Sequence, residues 1–435
     1  MLIELSIENF RSVKDREELS LIPFKKYKEH PGNIFDNGKN TDALKTSVVY
    51  GANASGKSNV LKALKAIEFL VLHSGNFQPD DDIPPYEPYR LDKKNVTAPV
   101  KFEMDFIAGD ELQYTYKLSF TRKEILSEKL HFYPKTKEAL LFERKKGTSV
   151  KYGEYYRGGK KSIEKQLLKN QLFLSKAANN NVEQLKNVFL FFKEKLHVIP
   201  FLYGRNDHEL RQLYAERLAG EKNSEFNVIS ALDTGINRLS VDETDPDSFR
   251  FPENFPDEVK KEILNDFKYN IKAEHVKYDD EKAIEKEYFD IRDESVGTQR
   301  LFVIAGLVLD ALEDGTLLVI DEFEKSLHPH IMKFLIKLFH NPEMNPNKAQ
   351  LLIATHDVSQ LDNELFRRDQ IWFTQKDKYG ATSLYSLADH NGVRQDIPFD
   401  KWYYSGRFEG TPVIDELKFK LEYEEKKKAK KNQKI

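Results

Sequence analysis

The sequence predicts an α/β fold organised on a phosphate-binding loop, with an antiparallel β lobe and an inserted helical subdomain. Three observations predict it. Gly51-Ala52-Asn53-Ala54-Ser55-Gly56-Lys57-Ser58 reads G-x-x-x-x-G-K-S. It lies between an apolar run, Thr46 to Tyr50, and a helical pattern with Val60, Leu61, Leu64 and Ile67 on one face. Far downstream, Thr316 to Glu322 is an apolar run ending in two acids, as expected of a parallel strand buried on both faces. Between them, Val100 to Phe106 and Leu112 to Phe120 alternate around Gly109-Asp110, the pattern of an antiparallel hairpin. This is the P-loop NTPase class.

Leu2 to Ile7 reads as the first strand, with Leu19 to Ile22 as its partner after a turn near Lys14-Asp15-Arg16. Asn9-Phe10-Arg11-Ser12 follows, and Arg11 is thereby a candidate nucleotide contact. Residues 25–45, with Pro31-Gly32 and Asn37-Gly38, read as a loop. In the phosphate-binding loop, Gly51 and Gly56 let the backbone turn the N–H groups around Asn53, Ala54 and Ser55 into one concavity. The helix opening at Lys57, Ser58 and Asn59 adds the positive end of its dipole. Lys57 can reach outer phosphates, and Ser58 is placed to ligate Mg2+.

Strand-like pieces at Ile125-Leu126, Leu130 to Tyr133 and Leu140 to Arg144 extend the hairpin into an antiparallel sheet over 100–157. Residues 144–169 are basic: Arg144, Lys145, Lys146, Lys151, Arg157, Lys160, Lys161, Lys165 and Lys169 outweigh Glu154 and Glu164. With Tyr152, Tyr155 and Tyr156 interleaved, the stretch can contact phosphates and stack on bases. A solvated hairpin and helix face is the reading that such a charge run favours. From 163 to about 235 the pattern is mainly helical, with apolar runs at Val188 to Phe192 and Phe226 to Leu232. A further charged helix, roughly 256–272, completes the insertion. No internal repeat or long heptad run is visible. The lysine-rich tail from Glu424 reads as a disordered, solvated end.

Ligands of open α/β sheets bind at the carboxyl ends of the strands, where Asp321 and Glu322 stand. Asp321 is expected to hold Mg2+ and Glu322 to polarise the attacking water. Ala349 to Asp357 is a second core strand ending in His356, placed to contact the γ-phosphate. Upstream, Asp293 to Arg300 opens the apolar helix Leu301 to Leu312 with small polar residues and a glycine, a second anion-binding opening.

Bulk properties narrow the class. A length of 435 residues predicts two or three domains. A net charge of −3 provides no whole-protein field towards nucleic acid, so any such surface is local. The absence of cysteine excludes disulfides and thiolate metal sites. No apolar run approaches the roughly 20 residues of a membrane span. The alternating N-terminus lacks a secretory signal, and a cytoplasmic location is expected.

Taken in order, the phosphate loop, Ser295-Val296-Gly297-Thr298-Gln299, Asp321-Glu322, Ser326-Leu327-His328-Pro329 and His356 resemble the ABC-type ATPase head. Gly297 precedes Asp321 by 24 positions and His356 follows it by 35, close to that family's spacings. The resemblance implies ATP and Mg2+ as ligands, hydrolysis to ADP and phosphate, and two heads facing each other. Ser295 and Gly297 of one head would then complete the phosphate site of the other. It also implies Asp321 and Glu322 as the Walker B pair, Ser326 to His328 as the D-loop, and His356 as the switch histidine. Val296 and Thr298 depart from the usual Leu-Ser-Gly-Gly-Gln, and the Q-loop glutamine is open between Gln78 and Gln113.

Asn9 to Ser12 looks like the opening of the SMC/RecF/RecN branch. Asn170 to Ala177 and Tyr404 to Phe408 are similar to compact bacterial antiphage-defence ATPases of the abortive-infection, RloA- and AriA-like kind, related to the OLD family. That likeness implies a homodimer or larger homo-oligomer, a separate nuclease or toxin effector, DNA or a phage protein as trigger, and no membrane. OLD-type proteins continue into a Toprim nuclease, but only about 80 residues follow His356, without a Glu then Asp-x-Asp constellation. A RecF-like DNA-repair ATPase and a scaffold without turnover are the alternatives. Expected domain limits are 1–160 for the first ATPase half with its β lobe and 161–285 for the helical insertion. The second ATPase half spans 286–395, and 396–435 is a C-terminal segment with a basic tail.

Overall fold

The apolar, β-branched runs at the two ends of the chain come together in one sheet. In the computed structural model its order is Leu196–Ile199, Leu317–Ile320, Gln350–Ala354, Thr46–Gly51, Ile371–Lys376 and Thr382–Ser386. All neighbours are parallel except the last pair. The structure describes residues 1–135, 137–147, 149–199, 205–220, 229–232, 234–252, 254–390, 392–411 and 415–432.

Period-two alternation splits each central strand between two cores. Val49, Val319, Leu352 and Ala354 face the phosphate-loop helix Lys57–His73, through Val60, Leu61, Leu64 and Ile67. Val48, Tyr50, Leu318, Ile320 and Ile353 face the opposite side. There they meet Phe302, Val303 and Val308 of helix Val296–Asp314, and Leu335, Ile336 and Phe339 of helix Pro329–His340. Burial on both faces explains why these strands read as continuous apolar runs.

Beyond the loop helix lies an antiparallel sheet ordered Val150–Tyr152, Ala139–Lys145, Ile125–Phe132, Gln113–Phe120, Val100–Ile107, Leu2–Glu8 and Glu17–Ser20. Leu5, Ile7, Met104, Leu118 and Leu130 pack into the same core as the loop helix, which is therefore sandwiched between two sheets. The N-terminal strand and the 100–152 hairpins belong to one lobe. The fold is the mixed α/β P-loop fold with an antiparallel lobe.

Three expectations need correction. The segment 161–285 is not simply helical. It contains helices Phe173–Asn179 and Glu183–Leu190, but Leu196–Ile199 is the edge strand of the central parallel sheet. The expected helix over 256–272 ends at Asp266, and Tyr269–Asp279 is the middle strand of a sheet between Arg238–Glu243 and Lys282–Asp290. Ile271 and Ala273 alternate into the core that Tyr214 and Ala215 of helix Arg205–Gly220 share, so period two wins over the charged flank. Asp280 and Glu281 both take positive φ (42° and 65°), as a tight hairpin turn requires.

The tail is helical over Glu416–Asn432 rather than disordered. Its support is local: Phe419 and Tyr423 rings stack at a four-residue interval, and Lys427 lies over the Tyr423 ring. Of the expected helical run Phe226 to Leu232, residues 226–228 lie outside the described residues, and Ser230–Leu232 is a short 3-10 turn. Among the described residues no helix is long and apolar enough to cross a membrane.

Candidate nucleotide site

The central strand Thr46–Gly51 and the helix Lys57–His73 hold the loop between them. Gly51 and Gly56 have φ of +152° and +119°, in the range that side chains resist. Space is also absent there. A Cβ on Gly51 would stand 2.5 Å from the Thr374 carbonyl oxygen, and one on Gly56 2.3 Å from Thr382 Oγ1. The glycines are thus required by both conformation and packing. Asn53 and Ala54 form the exposed crest, Ser55, Gly56 and Lys57 are buried, and Ser58 and Asn59 are half-buried.

A chain of hydroxyls braces the loop from behind. Thr374 Oγ1 donates to Tyr50 O (3.2 Å), so the Ser55 hydroxyl at 2.6 Å donates to Thr374. Thr382 Oγ1 donates to Ser55 O at 2.7 Å and accepts from the Ser12 hydroxyl at 2.8 Å. Asn59 Nδ2 in turn donates to Ser12 Oγ at 2.6 Å. Sequence reasoning missed Ser12, Thr374 and Thr382 as parts of this site, because no local pattern ties them to the loop.

Lys57 Nζ donates to Gly51 O (2.7 Å), Ala52 O (3.2 Å) and His356 Nδ1 (3.3 Å). Burial lowers its pKa to about 8, opposed by the charges of Asp321, Glu324 and Glu322. Burial and then the Lys57 cation hold His356 below the ordinary histidine range. With the Lys57 ammonium donating to it, Nδ1 is the accepting nitrogen and the ring proton sits on Nε2.

Asp321 is buried, and its Oδ1 accepts the Glu322 N–H at 3.1 Å. Glu322 adopts a left-handed φ of +51°, and its carboxylate lies 3.3 Å from Lys325 Nζ. Such backbone strain in a non-glycine residue persists only where the surroundings impose it. Here Arg300, on the helix Val296–Asp314, donates to the Glu322 carbonyl at 2.7 Å. That helix and the acid loop are thereby joined.

Ser295 caps the same helix, accepting from Thr298 N at 3.1 Å. Val296 is 69% exposed, so this helix end is presented outward with an apolar tip. A Cβ on Gly297 would meet the Ser326 carbonyl at 2.7 Å, so this glycine permits close approach of the loop after the acids. Ser295 and Gly297 thus sit beside Ser326, whereas Lys57 and His356 meet directly.

Arg11, left-handed at φ +53°, pairs its guanidinium with Glu87 at 2.6 Å. Its neighbour Ser12 reaches the loop. Gln113 is buried and accepts from Thr41 N (3.1 Å), while Gln78 is exposed with its amide on Asn76 O (3.3 Å).

The basic stretch 144–169 is committed elsewhere only in part, and Lys145, Lys146, Lys151, Arg157, Lys160, Lys161 and Lys165 are exposed. Arg144 is fully buried and donates to the carbonyls of Gly147, Gln171, Leu168 and Lys169. Tyr152 and Tyr156 pack together and against Phe173, and Lys169 pairs with Asp80. Asn170 and Gln171 bond the carbonyls of Gln78, Asp81, Gly75 and Phe77, tying the lobe to the end of the loop helix.

The donor set suits a hydrated hard cation beside phosphates. Ser58 and Asp321 offer a hydroxyl and a carboxylate, and Mg2+ typically takes one or two protein oxygens together with substrate phosphates. Among the described residues no cluster of His, Asp and Glu forms a self-contained metal cage.

Comparison with solved structures finds the SMC head domain from Thermotoga maritima, at 12% identity and a TM-score of 0.40, covering 88% of this chain and 98% of that one. The recombination mediator protein RecF with ATPrS, in the RecFOR pathway, matches at 14% identity and 0.36, covering 88% and 98%. No curated protein matches the sequence. A family model described as "AAA domain, putative AbiEii toxin, Type IV TA system" matches residues 47–362, which hold the phosphate loop, both acids and His356. The chain belongs to this AAA-domain family.

Proposed function

We propose that this protein binds Mg2+-ATP between two heads and hydrolyses it, using nucleotide state to control a separate effector in an abortive-infection type of antiphage defence. The observation that carries the reading is the convergence of Lys57, Asp321 and His356 at the carboxyl ends of adjacent parallel strands. A cation, a buried acid and a neutral imidazole at one strand edge suit a phosphate chain better than a structural core.

In this reading the loop N–H groups from Asn53 to Ser58 and the Lys57 ammonium hold the phosphates. Ser58 and Asp321 hold Mg2+, which neutralises charge on the outer phosphate oxygens. Glu322 orients the attacking water from a backbone position that Arg300 fixes. His356 presents Nε2–H to the γ-phosphate, because its Nδ1 already accepts from Lys57. Ser295 and Gly297 act on the partner head's nucleotide from the exposed helix end. Closure with ATP and opening after hydrolysis would then bias whatever the lobe and insertion hold.

The defence assignment draws on the family description, which names a toxin of a type IV toxin–antitoxin system. The alternative use on DNA keeps the exposed cations Lys145, Lys146, Lys151, Arg157, Lys160, Lys161 and Lys165, but Arg144, Tyr152 and Tyr156 are spent internally. The test is native mass of the Glu322→Gln variant with and without Mg2+-ATP. A monomer that dimerises only with ATP supports the two-headed switch. An assembly of unchanged mass in both conditions counts against it.

A further inference from the structure

Glu324 stands one turn beyond the acids and is absorbed by none of the roles above. Its Oε1 accepts the His356 main-chain N–H at 2.9 Å. Phe323 N donates to Ala354 O at 3.3 Å, so the acid loop and the histidine strand are joined at two successive points. Glu324 O also accepts Leu327 N at 3.0 Å, which closes the turn that carries the carboxylate. The second oxygen, Oε2, is enclosed and without a partner among the described residues.

An enclosed carboxylate oxygen without a donor is costly, and such exceptions concentrate where function requires them. The position fits that expectation. After burial, Lys57 feels Asp321 most among the acids, then Glu324, then Glu322. His356 feels burial and Lys57 first, and among the acids Glu324 most. Glu322, by contrast, turns its carboxylate to Lys325.

We propose that Glu324 is a positioning residue that latches the His356 main chain to the acid loop, so that the γ-phosphate contact and the water-orienting acid move as one unit. This rests on the ATP-site reading given above. The latch acts where ATP and ADP differ. Without it the phosphate loop still holds the α- and β-phosphates, but His356 no longer has a fixed place from which to meet the γ-phosphate.

The experiment measures affinities for fluorescent ATP and ADP analogues with Mg2+, using the full chain in a Glu322→Gln background. Glu324→Ala is expected to lower the ATP:ADP affinity ratio about tenfold or more, with ADP affinity held within about threefold. Glu324→Gln, which keeps an acceptor oxygen for the His356 N–H, is expected to hold the ratio within about threefold of the parent. The double variant Glu324→Ala/His356→Ala should discriminate no worse than His356→Ala alone, because both act through one contact. Glu324→Asp, with a shortened reach, should lower the ratio if the alanine variant does not fold. An unchanged ratio in Glu324→Ala, a collapse in Glu324→Gln, or additive losses in the double variant would overturn the latch. A parent that binds neither nucleotide would instead remove the ATP-site reading and the latch together.

Discussion

Thr382 lies outside every recognisable motif, yet its hydroxyl donates to Ser55 O at 2.7 Å and accepts from Ser12 at 2.8 Å. Thr382→Val keeps the shape and removes that hydroxyl. The Ser12 side chain is half-buried and can turn to water, so its loss is small. The Ser55 carbonyl has no such escape: Ser55 and Thr382 are 4% and 2% exposed. Leaving a buried acceptor unsatisfied costs about 1–3 kcal/mol. Part of this falls on global stability and part on the loop, which then spends time outside the phosphate-ready conformation. If about 1.4 kcal/mol falls on the loop, the competent fraction and hence ATP affinity drop by up to about tenfold. Urea unfolding and fluorescent-ATP binding measure the two parts. Their sum should come to about 1–3 kcal/mol, and Ser12→Ala should cost less, about 0.5–1.5 kcal/mol. A Thr382→Val protein unchanged within about 0.3 kcal/mol in both assays would refute the brace.

Other parts of the fold make separate predictions. Burial, followed by the nearby charges of Lys45, His30 and Lys337, pushes His340 down to about 3, and the ring bonds Thr46 Oγ1 at 2.8 Å. The unfolded chain takes up this proton near pH 6.5 and the native chain does not, so stability is full above that pH and falls on acidification by up to about 1.4 kcal/mol per unit. His340→Gln should flatten the decline between about pH 6.5 and 4.5, and identical slopes would contradict the assignment. Arg144 is buried beside Glu128, whose carboxyl is raised by burial and held back by that arginine. Arg144→Met leaves the buried Glu128 carboxylate without its cation, although Tyr116 Oη and the Phe173 and Leu174 N–H groups still donate to it. It should cost about 3–5 kcal/mol in denaturant unfolding, with partial recovery in Glu128→Gln/Arg144→Met. A loss below about 1 kcal/mol would show that the pair is not holding the lobe.

The phosphate loop was legible because its residue types encode local backbone geometry at fixed spacing, as the φ values of Gly51 and Gly56 illustrate. The lobe was legible because Val100–Ile107 and Gln113–Phe120 alternate cleanly. The hydroxyl brace was not, since Ser55 meets Thr374 across 319 positions and only the assembled sheet brings them together. Leu196–Ile199 is too short for periodicity to separate a strand from a helix, and its identity comes from pairing with Leu317–Ile320. In Tyr269–Asp279 the buried Ile271 and Ala273 alternate, but charges on the solvent face hid the pattern behind a helix-like flank. The tail, read as a disordered end, is a helix whose apolar residues stay exposed. Leu417, Phe419, Leu421 and Tyr423 alternate by two and are all exposed, yet the segment is helical. Composition also could not reveal that Arg144 and Tyr156 point inward.

The most direct measurement pairs Mg2+-ATP binding with phosphate release for the wild-type chain, Lys57→Ala and Glu322→Gln. The account predicts slow but measurable release by the wild type and loss of binding in Lys57→Ala. Glu322→Gln should bind ATP within about threefold of wild type and release phosphate at least about a hundredfold more slowly. Binding that survives Lys57→Ala, or release that survives Glu322→Gln, would contradict it.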